Sequence, residues 1–398
     1  MTMRLYQDDP YCREFDAVIT EVKGDLIALD RTAFYPGGGG QDPDVGSISG
    51  SPVAEVRQEG DAIYHKVPGH SLKAGDRVRG MVDWRRRYDL MKGHTAEHLL
   101  FSRLSKLNPE LELVKIAITP EKKSVMVKGS LDWELVGRAE AMALEAIADD
   151  LPITERRVGR DDPILAGARV KLERIHGDEV RIVEIGDIDR AACAGVHVRS
   201  TGELGLILIT KFTSARPAAD HEVEFEVGDA AKGKAMVLSL TALRAAEALG
   251  ARPQDLLSAL DNLQNEKKRQ EAALKRYGTK ALSDLVPSDI KGVKLFSGLF
   301  ESMDRKTLTD AANEFAKAGG ACVLGSIGER FMLIVACAPS LKVDCVAVLN
   351  EALAKVGGRG GGKPGFASGG AQDSKGAEEA MVTAIVALRK AIDRSTGS

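Results

Sequence analysis

Three of the seven histidines stand with one cysteine in two short segments. The first segment is His94-Thr95-Ala96-Glu97-His98. Residues four apart stack on one face of a helix, so two imidazoles here can grip one metal ion. The zinc-protease order, His-Glu-x-x-His, is absent. Glu97 adjoins the second histidine and is expected to point off that face. Gly93 costs about 1 kcal/mol in mid-helix relative to alanine, so a backbone or ligand is expected to pass close to it. The second segment is Cys193-Ala194-Gly195-Val196-His197. Thiolate and imidazole are both zinc ligands, and together the segments offer His94, His98, Cys193 and His197. Two chemistries stay open. Four protein ligands make a closed structural site. A displaceable position lets zinc lower the pKa of bound water toward ~7 and polarise a carbonyl, with ester hydrolysis as the natural output. The silent alternative is a core thiol beside unrelated surface histidines.

Two glycine-rich segments can meet a ligand with their backbone. Thr32-Ala33-Phe34-Tyr35-Pro36 runs into Gly37, Gly38, Gly39, Gly40 and Gln41. Glycines let N–H groups approach without side-chain hindrance, and Thr32 and Gln41 are neutral groups suited to a hydroxyl, amine or carbonyl. The second is Gly357-Gly358-Arg359-Gly360-Gly361-Gly362-Lys363-Pro364, between two expected helices. Arg359 and Lys363 among glycines fit a phosphate-contacting nest. No Gly-Lys-Ser/Thr opens a helix after a strand, so it is no P-loop. The plain alternative for both is a flexible turn.

The elements that must hold these residues follow from pattern and punctuation. The apolar share of 44% and charged share of 28% exclude collagenous, disulfide-scaffold and disordered chains. The 398 residues allow two to three domains. Residues 1–80 alternate short apolar runs with turns such as Lys23-Gly24-Asp25, as in a small antiparallel β-barrel or sandwich. In 81–228, Asp83 can cap a helix that Asn108-Pro109 stops near Leu107. Strands are expected at 113–119 and 124–128, a helix over 132–150, and a hairpin pairing 169–175 with 179–185. The sum is α+β with an antiparallel sheet. Residues 229–284 read as a helical connector, either solvated or a dimerising or RNA-touching arm. Residues 285–398 read β-α-β-β-α, a glycine loop and a last helix, with a frayed tail from Asp393.

A net charge of −3 excludes an overall basic nucleic-acid coat and leaves room for a local basic face. No run reaches the ~18 apolar residues of a membrane span. The opening MTMRLYQDDPYC lacks an apolar core, so no signal peptide is expected. Five scattered cysteines read as reduced thiols, as in a cytoplasmic protein.

The two metal segments, preceded by Thr32…Pro36-x-Gly38-Gly39-Gly40-Gln41, resemble the editing half of alanyl-tRNA synthetases. They are most similar to the freestanding alanyl-tRNA editing proteins of the long form. Gly357–Gly370 resembles the glycine-rich signature of the C-terminal domain those proteins share with DHH-type phosphoesterases. The family's Cys-Gly-Gly-Thr-His is here Cys193-Ala194-Gly195-Val196-His197, and the signature ends Gly369-Gly370-Ala371.

The resemblance implies an α+β multidomain chain. Its parts are a β-barrel-like domain (1–80), a zinc-containing editing domain (81–228), the helical connector (229–284), and an α/β glycine-rich domain for RNA binding or oligomerisation (285–398). It implies a trans-acting, zinc-dependent deacylase of tRNA(Ala) mischarged with serine or glycine, one zinc per chain. His94, His98, Cys193 and His197 would hold the zinc. Gln41 and Thr32 would act on the aminoacyl group, lined by Gly38, Gly39 and Gly40. Gly358, Arg359, Gly360, Gly361, Gly362 and Lys363 would meet RNA. A homodimer through the connector or C-terminal domain is left open. No aminoacylation domain is expected, and the sequence contains no Asp-His-His segment. The rivals are a tRNA-binding adaptor with a structural zinc, a zinc peptidase, and an editor of another tRNA.

Overall fold

The computed structural model describes residues 2–170, 175 and 177–395. Two compact units divide the chain, Met1–Arg244 and Ala245–Ser398. The expected boundary at 80/81 lies within the first unit, where the N-terminal sheet and the helix that follows share one hydrophobic core.

In the first unit, Glu14–Lys23 alternates as its sequence requires, with Phe15, Ala17 and Ile19 buried and Glu14 and Asp16 exposed. It lies mid-sheet in seven strands, ordered Ser51–Val53, Gly46–Ile48, Arg77–Val82, Glu14–Lys23, Leu26–Leu29, Ala62–Lys66, Glu55–Glu59. The two edge strands are consecutive in sequence, so the sheet curls nearly shut, like a barrel.

The helix Trp84–Leu107 begins where Asp83 accepts a hydrogen bond from the Arg86 amide and ends at Asn108. Its middle, His94 to Phe101, is buried throughout. It packs on the helix Trp133–Ala148 and on a four-stranded sheet ordered Glu112–Ile118, Lys123–Lys128, His221–Val227, Ile207–Ser214. A buried ion pair ties this helix to the barrel. Arg87 Nε lies 2.9 Å from Asp44 Oδ1, and other Arg87 nitrogens reach the carbonyls of Pro10 and Ala33. Asp44 also accepts the Tyr35 amide at 2.6 Å, which fixes the Tyr35–Gln41 segment beside the helix.

The expected strand 169–175 lies largely outside the described residues. Its expected partner, Glu179–Ile185, is the middle of three strands, between Ile153–Gly159 and Asp189–Ala192. Ile182–Ile185 forms a hairpin with Asp189–Ala192, and the expected 169–175/179–185 pairing lies largely outside the described residues.

The second unit carries the helix Leu256–Ser283 and a six-stranded sheet ordered Ser288–Ile290, Val293–Glu301, Ala321–Ile327, Phe331–Cys337, Phe366–Ala371, Arg359–Lys363. Val293–Glu301 and Ala321–Ile327 run parallel, with the helix Arg305–Lys317 as crossover. That helix covers one face, and Cys345–Ala354 with Ala377–Ser395 cover the other.

Two expectations change here. The glycine segment is not a loop between helices: Arg359–Lys363 is an edge strand paired with Phe366–Ala371. Its glycines let the hairpin lie against the helix Cys345–Ala354. A Cβ on Gly360 would sit 2.5 Å from Leu349 Cδ2 and 2.8 Å from Gly369 Cα. A nest needs successive N–H groups turned to one side, which an extended strand does not supply. The tail from Asp393 is helical as far as Ser395, the last described residue. Among the described residues no helix is long and apolar enough to cross a membrane.

Candidate metal centre

His94 and His98 come from the buried middle of Trp84–Leu107, and Cys193 and His197 from the loop after Asp189–Ala192. Their four ligand atoms lie within 4.8 Å of one another. Cys193 Sγ is 3.5 Å from His94 Nε2 and 3.3 Å from His197 Nε2. A tetrahedral ion with N and S ligands at 2.0–2.1 and 2.3 Å has an N···S edge of about 3.6 Å. The apposition therefore fits such an ion.

Each imidazole is oriented from behind. His94 Nδ1 lies 2.7 Å from Gln41 Oε1, His98 Nδ1 2.9 Å from Asp189 Oδ2, and His197 Nδ1 3.1 Å from Thr95 Oγ1. An amide oxygen and a carboxylate only accept, so Nδ1 of His94 and His98 donates and Nε2 faces the shared centre. Partners of this kind fix tautomer and ring plane in metal sites. Arg169 in turn holds Asp189, Nε at 3.0 Å and Nη2 at 2.7 Å. Arg181 donates to the carbonyls of Cys193 and Gly195 at 2.7 and 2.8 Å and pins the loop.

The electrostatics match a cation site. Burial raises the Cys193 thiol, but His94 and His197 outweigh it and hold the thiol well below its ordinary range. Burial pulls His197 down to about 3 despite the thiolate. Burial also opposes charge on His98, yet Asp189 and Cys193 push it up to about 10. Burial raises Asp189, but His98 and Arg169 bring it to about 2. A metal ligand must be an unprotonated imidazole, so an ion held here would displace the His98 proton.

Gln41 is placed at this centre. Its Oε1 also accepts the Val196 amide at 3.2 Å, while its buried Nε2 has no partner among the described residues. Gly195 is required by close approach, since a Cβ there would lie 2.2 Å from His94 Cε1 and 2.7 Å from Gln41 Oε1. The expected close neighbour of Gly93 is the Lys123 side chain, 2.9 Å from where its Cβ would be.

Gly37, Gly38, Gly39 and Gly40 all take positive φ, which favours glycine. The Gly38 N–H is spent on the Gln41 carbonyl at 3.0 Å. Thr32 is fully buried, its hydroxyl 2.9 Å from His65 Nε2 and 3.1 Å from the Phe34 amide. Gly358, Arg359, Gly360, Gly361, Gly362 and Lys363 belong to the second unit, with Arg359 and Lys363 exposed.

Glu97 departs from expectation. It is buried, and its Oε2 lies 3.8 Å from His98 Nε2. Residues three and four apart share a helix face, so Glu97 stands with His94 rather than away from it. Asp189, Arg169, Arg181 and Thr95 were not singled out by the sequence. Thr95 lies inside the histidine segment and Asp189 four residues before Cys193, which are the signals that could have found them.

Residues 8–86 match the family described as tRNA synthetases class II (A). Residues 180–219, which carry Cys193 and His197, match the threonyl and alanyl tRNA synthetase second additional domain. The chain is 29% identical over 391 residues to the alanyl-tRNA editing protein AlaX-L of Pyrococcus horikoshii, covering 93% of this chain and 94% of that protein. It is 30% identical over 390 residues to the alanine–tRNA ligase of Methanoregula boonei, covering 93% of this chain and 41% of the ligase. It thus spans about two fifths of that ligase's length. The solved C-Ala domain of Aquifex aeolicus alanyl-tRNA synthetase aligns at 20% identity and TM-score 0.24, over 27% of this chain and 99% of that one. The chain thus belongs to the freestanding alanyl-tRNA editing proteins of the long form, similar to the editing and C-terminal domains of alanyl-tRNA synthetase.

Proposed function

We propose that this protein is a trans-acting deacylase that hydrolyses the ester of tRNA(Ala) mischarged with serine, and of its glycyl counterpart. One zinc per chain, held by His94, His98, Cys193 and His197, is part of the proposal. The observation that carries it is the convergence of these four ligand atoms, with each imidazole oriented through Nδ1. The donor set of nitrogen and thiolate suits zinc. When bound there, zinc supplies Lewis acidity toward a carbonyl or a water.

The chain's own residues bind and orient. Gln41 holds His94 through Oε1 and keeps Nε2 as a buried donor. A donor placed where an ester oxygen gains charge is worth about 10²–10³ in rate. Thr32 reads the serine side chain. His65 Nδ1 must donate to the Ile27 carbonyl at 3.3 Å, so its Nε2 accepts the Thr32 hydroxyl proton. Phe34 N–H takes one Thr32 lone pair, and the other is left for a donating serine hydroxyl. A site that bonds a substrate hydroxyl rejects the analogue lacking it, which spares alanine. Gly39 and Gly40, beside Gly38, line the aminoacyl pocket. Arg359 and Lys363, on the open edge of the second sheet, contact tRNA phosphates, with Gly358 and Gly360–Gly362 as backbone. Exposed Leu257, Leu263, Leu274 and Tyr277 on Leu256–Ser283 support a homodimer through that helix. A charged-tRNA substrate supports a cytoplasmic location.

The test is deacylation of Ser-tRNA(Ala) before chelation, after chelation, and after zinc is restored. Loss and recovery of turnover are expected, and Thr32→Val should lower the serine-over-alanine ratio. Four protein ligands also favour a second reading, a tRNA-binding adaptor with a closed structural zinc. That reading predicts tRNA binding without ester cleavage.

A further inference from the structure

Glu97 is a buried carboxylate, one oxygen of which the fold leaves without a donor. Its Oε1 has no hydrogen-bond partner among the described residues, and only 1% of the residue is exposed. The nearby cation, Arg169, is committed through Nε and Nη2 to Asp189. A buried carboxylate oxygen without a hydrogen bond is costly, so a donor is expected to complete this corner when the protein works. The corner lies against the centre, since Glu97 Oε2 is 3.8 Å from His98 Nε2. On the His94 side, Gln41 Nε2 is a buried donor that also lacks a partner. The site therefore presents one orphaned donor and one orphaned anionic acceptor.

An aminoacyl ester is the complement of that pair. It carries a carbonyl oxygen that accepts and an α-ammonium that donates, joined through only the carbonyl carbon and Cα. A group that holds the ammonium must therefore lie beside the place where the carbonyl reacts. We infer that Glu97 is the anchor of the substrate's α-ammonium, with the carbonyl end directed toward Gln41 and the four-ligand centre. The inference rests on the deacylase reading and deepens it. It assigns the cationic end of the substrate, so esters lacking a free α-amino group are excluded.

The experiment uses the zinc-loaded full chain and calorimetric binding of two non-hydrolysable adenosine 3′-amides. One carries a seryl group and the other a 3-hydroxypropanoyl group, which lacks only the α-amine. Wild type is expected to bind the seryl amide at least tenfold tighter. Glu97→Gln should bring the two affinities within about twofold, with zinc content unchanged and the 3-hydroxypropanoyl affinity kept. A tenfold preference that survives in Glu97→Gln overturns the inference. So does zinc loss in that variant, which would make Glu97 a metal-holding residue. A wild-type ratio near one overturns it whether or not the variant folds. Failure of wild type to bind either amide sinks the deacylase reading itself, and the anchor with it.

Discussion

Replacing Gly195 with alanine tests how tightly the cysteine loop is built against His94. The new methyl carbon would lie 2.2 Å from Cε1 and 2.3 Å from Nδ1 of His94, and 2.7 Å from Gln41 Oε1. Non-bonded carbons rest at about 3.5–4 Å, so loop or ring must yield by about 1.3 Å. The loop is pinned by Arg181 at the Cys193 and Gly195 carbonyls. The ring is held on this side by one hydrogen bond to Gln41, so the ring moves. Metal–ligand distances tolerate only about ±0.2 Å, and His94 leaves the set. Loss of an orienting partner alone costs about 10–100-fold in metal affinity. Losing the ligand as well sets the expectation at about 100-fold or more, near 2.7 kcal/mol. Zinc competition with a chromophoric chelator at neutral pH reads this directly. Gly137→Ala is the control, since a Cβ there meets nothing within 4 Å. A Gly195→Ala affinity within twofold of wild type would refute the geometry.

Three further outcomes follow from buried or exposed charge. Burial pulls His65 from 6.5 down to about 4, partly offset by the Ile27 carbonyl. The unfolded chain therefore binds the proton first: stability is full above pH 6.5 and falls by up to about 3 kcal/mol as pH drops through 4. Urea unfolding of wild type and His65→Gln across that range should diverge in slope, and parallel curves would contradict it. Arg87→Met leaves Asp44 buried and unpaired, which should cost about 3–5 kcal/mol in unfolding free energy, and a loss under about 1 kcal/mol would argue against the pair's role. Arg359→Ala with Lys363→Ala should flatten the salt dependence of tRNA binding by about two units of log–log slope, at ~0.9 per phosphate contact. An unchanged slope would remove the sheet edge from the RNA surface.

The clustering of these four side chains was legible because each pair sits within five residues, and helical spacing alone puts His94 and His98 together. The long helix was legible from Asp83 and from Asn108-Pro109. What orients the imidazoles was not. Asp189 is 91 residues from His98 and lies on a four-residue strand too short to carry a pattern. Ile153–Gly159 went unseen because four of its middle residues are exposed in a row, so no apolar alternation marks it. The glycines near 360 signal a turn by composition, whereas here they serve close packing beneath a helix. Glu97 was misplaced because adjacency to His98 was weighed above its three-residue spacing from His94.

The central claim is that this centre cleaves an ester and reads its amino acid. Single-turnover deacylation of tRNA(Ala) carrying serine, glycine or alanine, by wild type and by Cys193→Ala, tests it most directly. The account predicts fast release of serine, little release of alanine, and loss of the serine rate in Cys193→Ala. Equal rates for serine and alanine, or a Cys193→Ala rate equal to wild type, would contradict it.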